Sequence, residues 1–160
     1  VQTCALPIYS DRYIRNVDRV KEQIDEVIAQ VPVSVENPTY LLLHVSATKS
    51  KVEKNNYFAC EIFNDLGLTN IASDSSALDE LSLEAVIASD PDYVFVVPRG
   101  DESKAMESFD ALFTSDPAWA SLSAVQNNRY YLLSKELFGL KPNADWDEAY
   151  RQAYDLLYEN

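Results

Sequence analysis

Between positions 10 and 31 apolar residues recur at Ile14, Val17, Val20, Ile24, Val27, Ile28 and Val31. Steps of mostly three and four put them on one stripe of a helix, and charged residues between Asp11 and Glu26 fill the other faces. Ser10 or Asp11 suits the N-cap, and Pro32 closes the segment. The stripe would also suit a coiled-coil strand, although three heptads are short for one. Residues 40–45 form a nearly unbroken apolar run after Pro38, the pattern of a strand covered on both faces in a parallel sheet. Residues 46–56 are polar, carry Lys49, Lys51 and Lys54, and read as a loop. Residues 57–66 return to helical spacing and stop at Gly67, the expected C-terminal cap.

The rest of the chain alternates. A short strand is expected over 68–72 and a short helix over 83–89, capped by Ser82. Asp90-Pro91-Asp92 breaks that helix, its carboxylates reading as turn and cap groups. Residues 93–97 are the clearest strand, followed by the turn Pro98-Arg99-Gly100-Asp101. Residues 102–113 read as a helix, and Asp116-Pro117 starts another short one with proline in the first turn. A strand over 129–133 follows Asn127-Asn128, since asparagine tolerates left-handed backbone. Residues 134–143 read as a loop, and 145–158 as a final amphipathic helix with Trp146, Ala149, Tyr150, Ala153, Leu156 and Leu157 inward. This order predicts an α/β fold: a three-layer sandwich with a mainly parallel central sheet, preceded by a long helix.

Residues 1–8 stand apart from this pattern. VQTCALPI is what GTTCAGACGTGTGCTCTTCCGATC encodes, and that string resembles a short-read sequencing adapter. These residues are expected to be an artefact fused to a chain truncated upstream, with an ordinary N-terminal strand as the alternative. Cys4 is then not biological, and Cys60 is a lone thiol, the kind of residue usually found as a small buried hydrophobe.

Composition narrows the function. A 47% apolar chain of 160 residues can bury a core, and no run reaches the roughly 18 apolar residues of a membrane-spanning helix. A net charge of -13 argues against a phosphate-binding surface for nucleic acid. One histidine and two cysteines are too few for a self-contained zinc site, and three glycines leave no Gly-rich nucleotide loop. No serine lies in a GxSxG setting, so no catalytic residue is assigned. In an open parallel sheet, ligands sit beyond the carboxyl ends of the strands. The segments leaving those ends hold His44, Lys49, Arg99, Lys135 and Lys141, an unusual concentration of cations for so acidic a chain. An anionic ligand fits them, and solvated loop charge is the other reading. His44, inside an apolar run, also suits a satisfied core histidine.

Residues 81–96, LSLEAVIASDPDYVFV, resemble the "slEaIlaadPDyifv" signature of ABC-transporter substrate-binding proteins, in the branch that carries ferric siderophores, haem and cobalamin. Three stretches agree in the family's order: 37–46 resembles "kptvLLlrvs", 117–133 resembles "npaWsslkAVknGrvyvl" and 138–150 resembles "lfhyKPNarWgeAY". The helix from Ser10 resembles the family's rigid interlobe helix, and Asn128 stands where the family usually has glycine.

The resemblance implies an interlobe helix and linker over 9–36 and the C-terminal lobe of a two-lobed binding protein over 37–160, its N-terminal lobe and lipoprotein signal missing. It implies a substrate-binding component of an ABC importer, not an enzyme. The ligand would be a ferric siderophore or related iron complex, delivered to permease subunits from a lipoprotein at the cell surface or in the periplasm. No cofactor and no metal ligand are implied. Glu84 matches the family's permease-docking glutamate. Ligand contacts are expected at His44, Ser46, Arg99, Phe138, Lys141, Asn143 and Trp146, although Trp146 and Tyr150 also suit core packing. Two alternatives stay open: a stand-alone flavodoxin-like interaction or regulatory domain, and a metal-ion or cobalamin binding lobe of the same superfamily.

Overall fold

The chain order is α1 (Ala5–Ala29), β1 (Thr39–Val45), β2 (Ser50–Val52), α2 (Phe58–Asp65), β3 (Thr69–Asn70), α3 (Leu83–Ser89), β4 (Tyr93–Pro98), α4 (Glu102–Phe109), α5 (Ser123–Gln126), β5 (Tyr130–Leu132), α6 (Lys135–Phe138) and α7 (Trp146–Tyr158). The computed structural model describes residues 5–33, 37–79, 81–141 and 143–159, the side chains of 5–10 and 143 excepted. Three-residue to five-residue 3-10 turns lie at Ser76–Leu78, Pro117–Ser121 and Asn143–Asp145, and a π-helical turn at Asp110–Thr114 extends α4.

The two apolar runs become the central strands. β1 pairs in parallel with β4, Tyr40 opposite Tyr93 and His44 opposite Val97, and β4 pairs in parallel with β5. β3 joins the amino end of β1 in parallel. β2 pairs antiparallel with the carboxyl end of the same edge, His44 opposite Lys51. The sheet is therefore mainly parallel, with one antiparallel hairpin where a plain loop was expected. Ser-Lys-Val is too short and polar to read as a strand alone, and pairing with β1 holds it extended.

Alternation along β1 and β4 feeds two cores, the reason these runs carry no polar interruptions. Tyr40, Leu42, Phe95 and Val97 pack with α2, α6, α7 and the last turns of α1. Leu41, Leu43, Val94 and Val96 pack on the other face with Val86, Ala105, Phe109, Phe113 and Trp119. Phe63 centres the first core, stacked on Phe95 with ring centroids 4.0 Å apart. The three-layer arrangement is the one expected.

Most local signals act as read. Ser82 Oγ accepts from Ala85 N–H at 3.1 Å, capping α3. Gly67 follows α2 at φ +90, and Asn128 turns at φ 56. Asp90 and Asp92 are structural: Asp90 accepts from the Ser123 N–H and hydroxyl, each at 2.7 Å, and Asp92 accepts from the Thr39 N–H at 2.7 Å. β3 and β5 are shorter than the strands expected over 68–72 and 129–133, and two helices differ further. α1 starts at Ala5 rather than near Ser10, which Pro7 permits because a first-turn N–H has no helical partner to lose. α6 is a helical turn inside the expected 134–143 loop, capped by Ser134 Oγ and too short to show periodicity.

The last turns of α1 place Ile24, Val27 and Ile28 against the first core, joined by Val31 just beyond the helix, and Arg19 lies 3.8 Å from Asp147 at the start of α7. Upstream, the same stripe is uncovered: Tyr13, Ile14 and Val17 are 72%, 52% and 37% exposed. No helix among the described residues is long and apolar enough to cross a membrane.

Candidate functional site

Helices linking parallel strands start at the strands' carboxyl edge. That edge therefore gathers the ends of β1, β4 and β5 with the first turns of α2, α3, α4, α6 and α7. Arg99 follows β4; its N–H donates to Val45 O at 2.7 Å, continuing the β1–β4 ladder, and its side chain is exposed. Ser46 and Lys49 close the β1–β2 hairpin. Ser46 N–H and Oγ–H both donate to Lys49 O, at 3.0 and 2.7 Å, and Ser46 Oγ accepts from Lys49 N–H. Lys141 is exposed, its ammonium 5.9 Å from the centre of the half-buried Trp146 ring. Trp146 meets Phe58 edge-on at 6.4 Å. Glu84 is exposed in the first turn of α3.

One expected contact, Phe138, is corrected, and a second, His44, is buried in this structure. Phe138 is 0% exposed, in the first core beside Phe63, because α6 folds its face onto β4. His44 is 1% exposed, since the strand alternation that buries Leu42 also turns His44 toward α2. Its Nδ1 bonds to Glu53 Oε1, and the same oxygen accepts from Lys51 Nζ at 2.6 Å. His44 and Lys51 are cross-strand partners, and Glu53 lies two residues further on the same face, so one carboxylate clamps both strands of the hairpin. The Asn143 side chain lies outside the described residues.

The ground beneath this clamp is polar and hydrogen-bonded through Asn70 and Tyr40. Glu53 O accepts from Asn70 Nδ2 at 3.0 Å, and Asn70 Oδ1 accepts from Ala72 N–H at 2.9 Å. Tyr40 donates from its hydroxyl toward Cys60 O and Asn64 Oδ1, each at 3.0 Å. Burial pushes the Cys60 thiol up to about 12, so it stays protonated and unreactive. Burial also pushes Glu53 upward, but the hydrogen bonds from His44 and Lys51 outweigh it and hold the carboxyl below its usual range. Tyr57 covers His44: the rings meet edge-on at 4.7 Å, and the Tyr57 hydroxyl donates to Phe138 O at 2.5 Å. Burial raises the Tyr57 phenol and Glu53 adds to it, with the Arg99 charge acting against both. The phenol therefore stays neutral.

Glu53 and Tyr57 were not legible as site residues. Tyr57 was placed only as the start of a helix, and Glu53 becomes a partner of His44 only once the hairpin forms. Among the described residues no three His, Cys, Asp or Glu side chains converge to hold a metal ion. Ion pairs take up Arg19, Lys51 and Lys54, while Lys49, Arg99, Lys135 and Lys141 have no carboxylate within ion-pair distance among the described residues. The edge thus sets four unpaired cations among first-turn carboxylates such as Glu102, Glu136 and Asp147, with aromatic rings beside the charges. Such a surface suits a bulky anion held without covalent chemistry.

Known proteins agree with this architecture. The Fe(3+)-citrate-binding protein YfmC of Bacillus subtilis (strain 168) is 29% identical over 111 residues, 69% of this chain and 33% of that protein. Staphylococcus aureus IsdE, solved with heme, superimposes with a TM-score of 0.76 at 22% identity, over 90% of this chain and 56% of that one. An ABC-transporter substrate-binding protein of Listeria monocytogenes EGD-e gives 0.73 at 25% identity, over 92% and 57%. The chain thus spans about a third of the curated relative and a little over half of the solved structures. A periplasmic binding protein profile matches residues 10–137, four-fifths of the sequence, and with the parallel sheet and its open carboxyl edge this makes the chain a member of the periplasmic binding protein family.

Proposed function

We propose that this chain is the C-terminal lobe and interlobe helix of a substrate-binding protein of an ABC importer, and that it captures a ferric chelate and hands it to a membrane permease. The observation that carries this is the set of unneutralised cations at one sheet edge, Arg99 foremost, on a protein of net charge -13. Ferric citrate is the first candidate, because it is named for a relative that matches 69% of this chain. Arg99 and Lys141 meet the anion, Ser46 and the hairpin head flank it, Asn143 borders the same edge, and Trp146 offers an aromatic wall. The work is binding and release, with no bond made or broken, in an extracytoplasmic protein held by a lipid anchor.

The two-lobe reading is supported by α1. By its rise of about 1.5 Å per residue, the part before Arg19 extends roughly 20 Å beyond this lobe, with its apolar stripe uncovered on the side where the ligand edge lies. Glu84, exposed in the first turn of α3, is assigned to permease docking by an ion pair with a basic residue.

Ferric citrate titration followed by tryptophan fluorescence tests the ligand. Arg99→Ala is expected to weaken binding at least tenfold, the worth of one charge-assisted hydrogen bond of about 1.5 kcal/mol. Absence of quenching, or equal affinity in the variant, refutes the assignment. Glu84→Ala is expected to leave affinity intact and lower cellular uptake; equal uptake removes its docking role.

A further inference from the structure

Among the buried polar atoms without a partner at the carboxyl edge, His44 Nε2, Ser50 Oγ and Trp146 Nε1, the imidazole nitrogen is the one that lies beneath an aromatic side chain. His44 Nδ1 is held by Glu53, while Nε2, across the ring, meets no donor or acceptor although the residue is 1% exposed. A buried ring nitrogen left unpaired costs stability, so natural proteins usually give it a partner in some state they visit. Tyr57 lies over this imidazole. It is only half-buried, its ring is edge-on to His44, and a single hydroxyl bond to Phe138 O ties it to the end of α6.

We infer that Tyr57 is a gate, and that once it turns away His44 Nε2 becomes a hydrogen-bond contact for a carboxylate-bearing ferric chelate at this edge. The contact rests on the ligand reading above; the gate does not. The charges around the ring suit an incoming anion. Lys51 on β2 and Glu53 just beyond it bear on the ring, Tyr57 at the N-cap of α2 lies over it, Cys60 Sγ reaches Glu53 O, and Arg99 follows β4 at the same edge. Glu53 and Lys51 offset one another, and Tyr57 and Cys60 are neutral, leaving Arg99 as the uncompensated charge. Glu53 fixes which nitrogen faces outward. With Nδ1–H given to Glu53, the neutral ring leaves Nε2 an acceptor, which takes a hydrogen bond from a hydroxyl or protonated carboxyl of the chelate.

His44 is the chain's only histidine, so one reagent reads it directly. Diethyl pyrocarbonate acylates accessible neutral imidazole with a change at 240 nm, and mass spectrometry confirms the residue. The wild-type chain is expected to react far more slowly than the chain in urea. Tyr57→Phe, which removes only the clasp, is expected to react about fivefold faster, the factor that one ordinary neutral hydrogen bond is worth. Tyr57→Ala is expected to react faster still, and saturating ferric citrate to slow it again. Both variants reacting at the wild-type rate would overturn the gate, as would a folded wild type as reactive as the unfolded chain. If Tyr57→Ala does not fold by circular dichroism, Tyr57→Phe decides alone. Ferric citrate that quenches tryptophan yet leaves the acylation rate unchanged removes the His44 contact and spares the ligand assignment. Ferric citrate that causes no quenching removes both, and the gate then stands or falls on the rates without ligand.

Discussion

Replacing Glu53 with glutamine separates the charge of the hairpin clamp from its shape. Glu53 Oε1 accepts from His44 Nδ1 and from Lys51 Nζ at 2.6 Å. The Lys51 side chain is 48% exposed and can return to water, so that pair is worth no more than about 1 kcal/mol. The bond to His44 is buried, and a hydrogen bond to a charged group is worth about 1.5–3 kcal/mol against about 1 for a neutral one. Glutamine keeps a neutral acceptor, so Glu53→Gln is expected to lose about 1–2 kcal/mol at pH 7. Glu53→Ala leaves Nδ1 without a partner and is expected to lose about 2–4 kcal/mol. The pH dependence gives a second test. The folded-state carboxyl is held below the unfolded value of about 4.3, so in the window between the two the unfolded chain binds the extra proton. The charge contribution is therefore complete above that window and is lost as pH falls through the folded value. Urea unfolding from pH 7 to pH 3 should show the gap between wild type and Glu53→Gln narrowing below about pH 4.3. A gap absent at pH 7, or one that persists unchanged at the acid end, would refute the clamp.

Two further substitutions probe the frame around the site. Phe63→Ala empties the ring stacked on Phe95 and beside Phe138, and is expected to cost about 3–5 kcal/mol in urea unfolding; less than 1 kcal/mol would mean the first core is not packed as described. Gly67→Ala keeps ordinary contacts, since a Cβ there would lie 3.7 Å from its nearest neighbours, so only the positive φ is penalised, at about 1–2 kcal/mol by thermal unfolding. An unchanged melting temperature would show that the turn tolerates a side chain.

The elements legible in the sequence are those whose burial repeats. The α1 stripe shows because Ile24, Val27, Ile28 and Val31 bury on one face. β1 and β4 show because layers cover both their faces. β2 and α6 stayed hidden for the opposite reason: three and four residues are too few for a period, and each is held by a partner distant in sequence. The site divides in the same way. The position of Arg99 after a buried strand was legible, whereas the bond between His44 and Glu53 follows from a hairpin register that no local pattern records. Phe138 was misplaced because position in a loop was read where helical turn α6 in fact points the ring inward.

The sheet also partitions the chromophores. Trp119 and Trp146, the chain's two tryptophans, stand on opposite faces of it, the first buried beside Phe109 and Phe113, the second half-buried at the ligand edge. A Trp119→Phe chain would emit from the ligand side alone, and a Trp146→Phe chain from the far layer alone. Emission recorded through an unfolding transition in the two chains would show whether the layers melt together or one at a time.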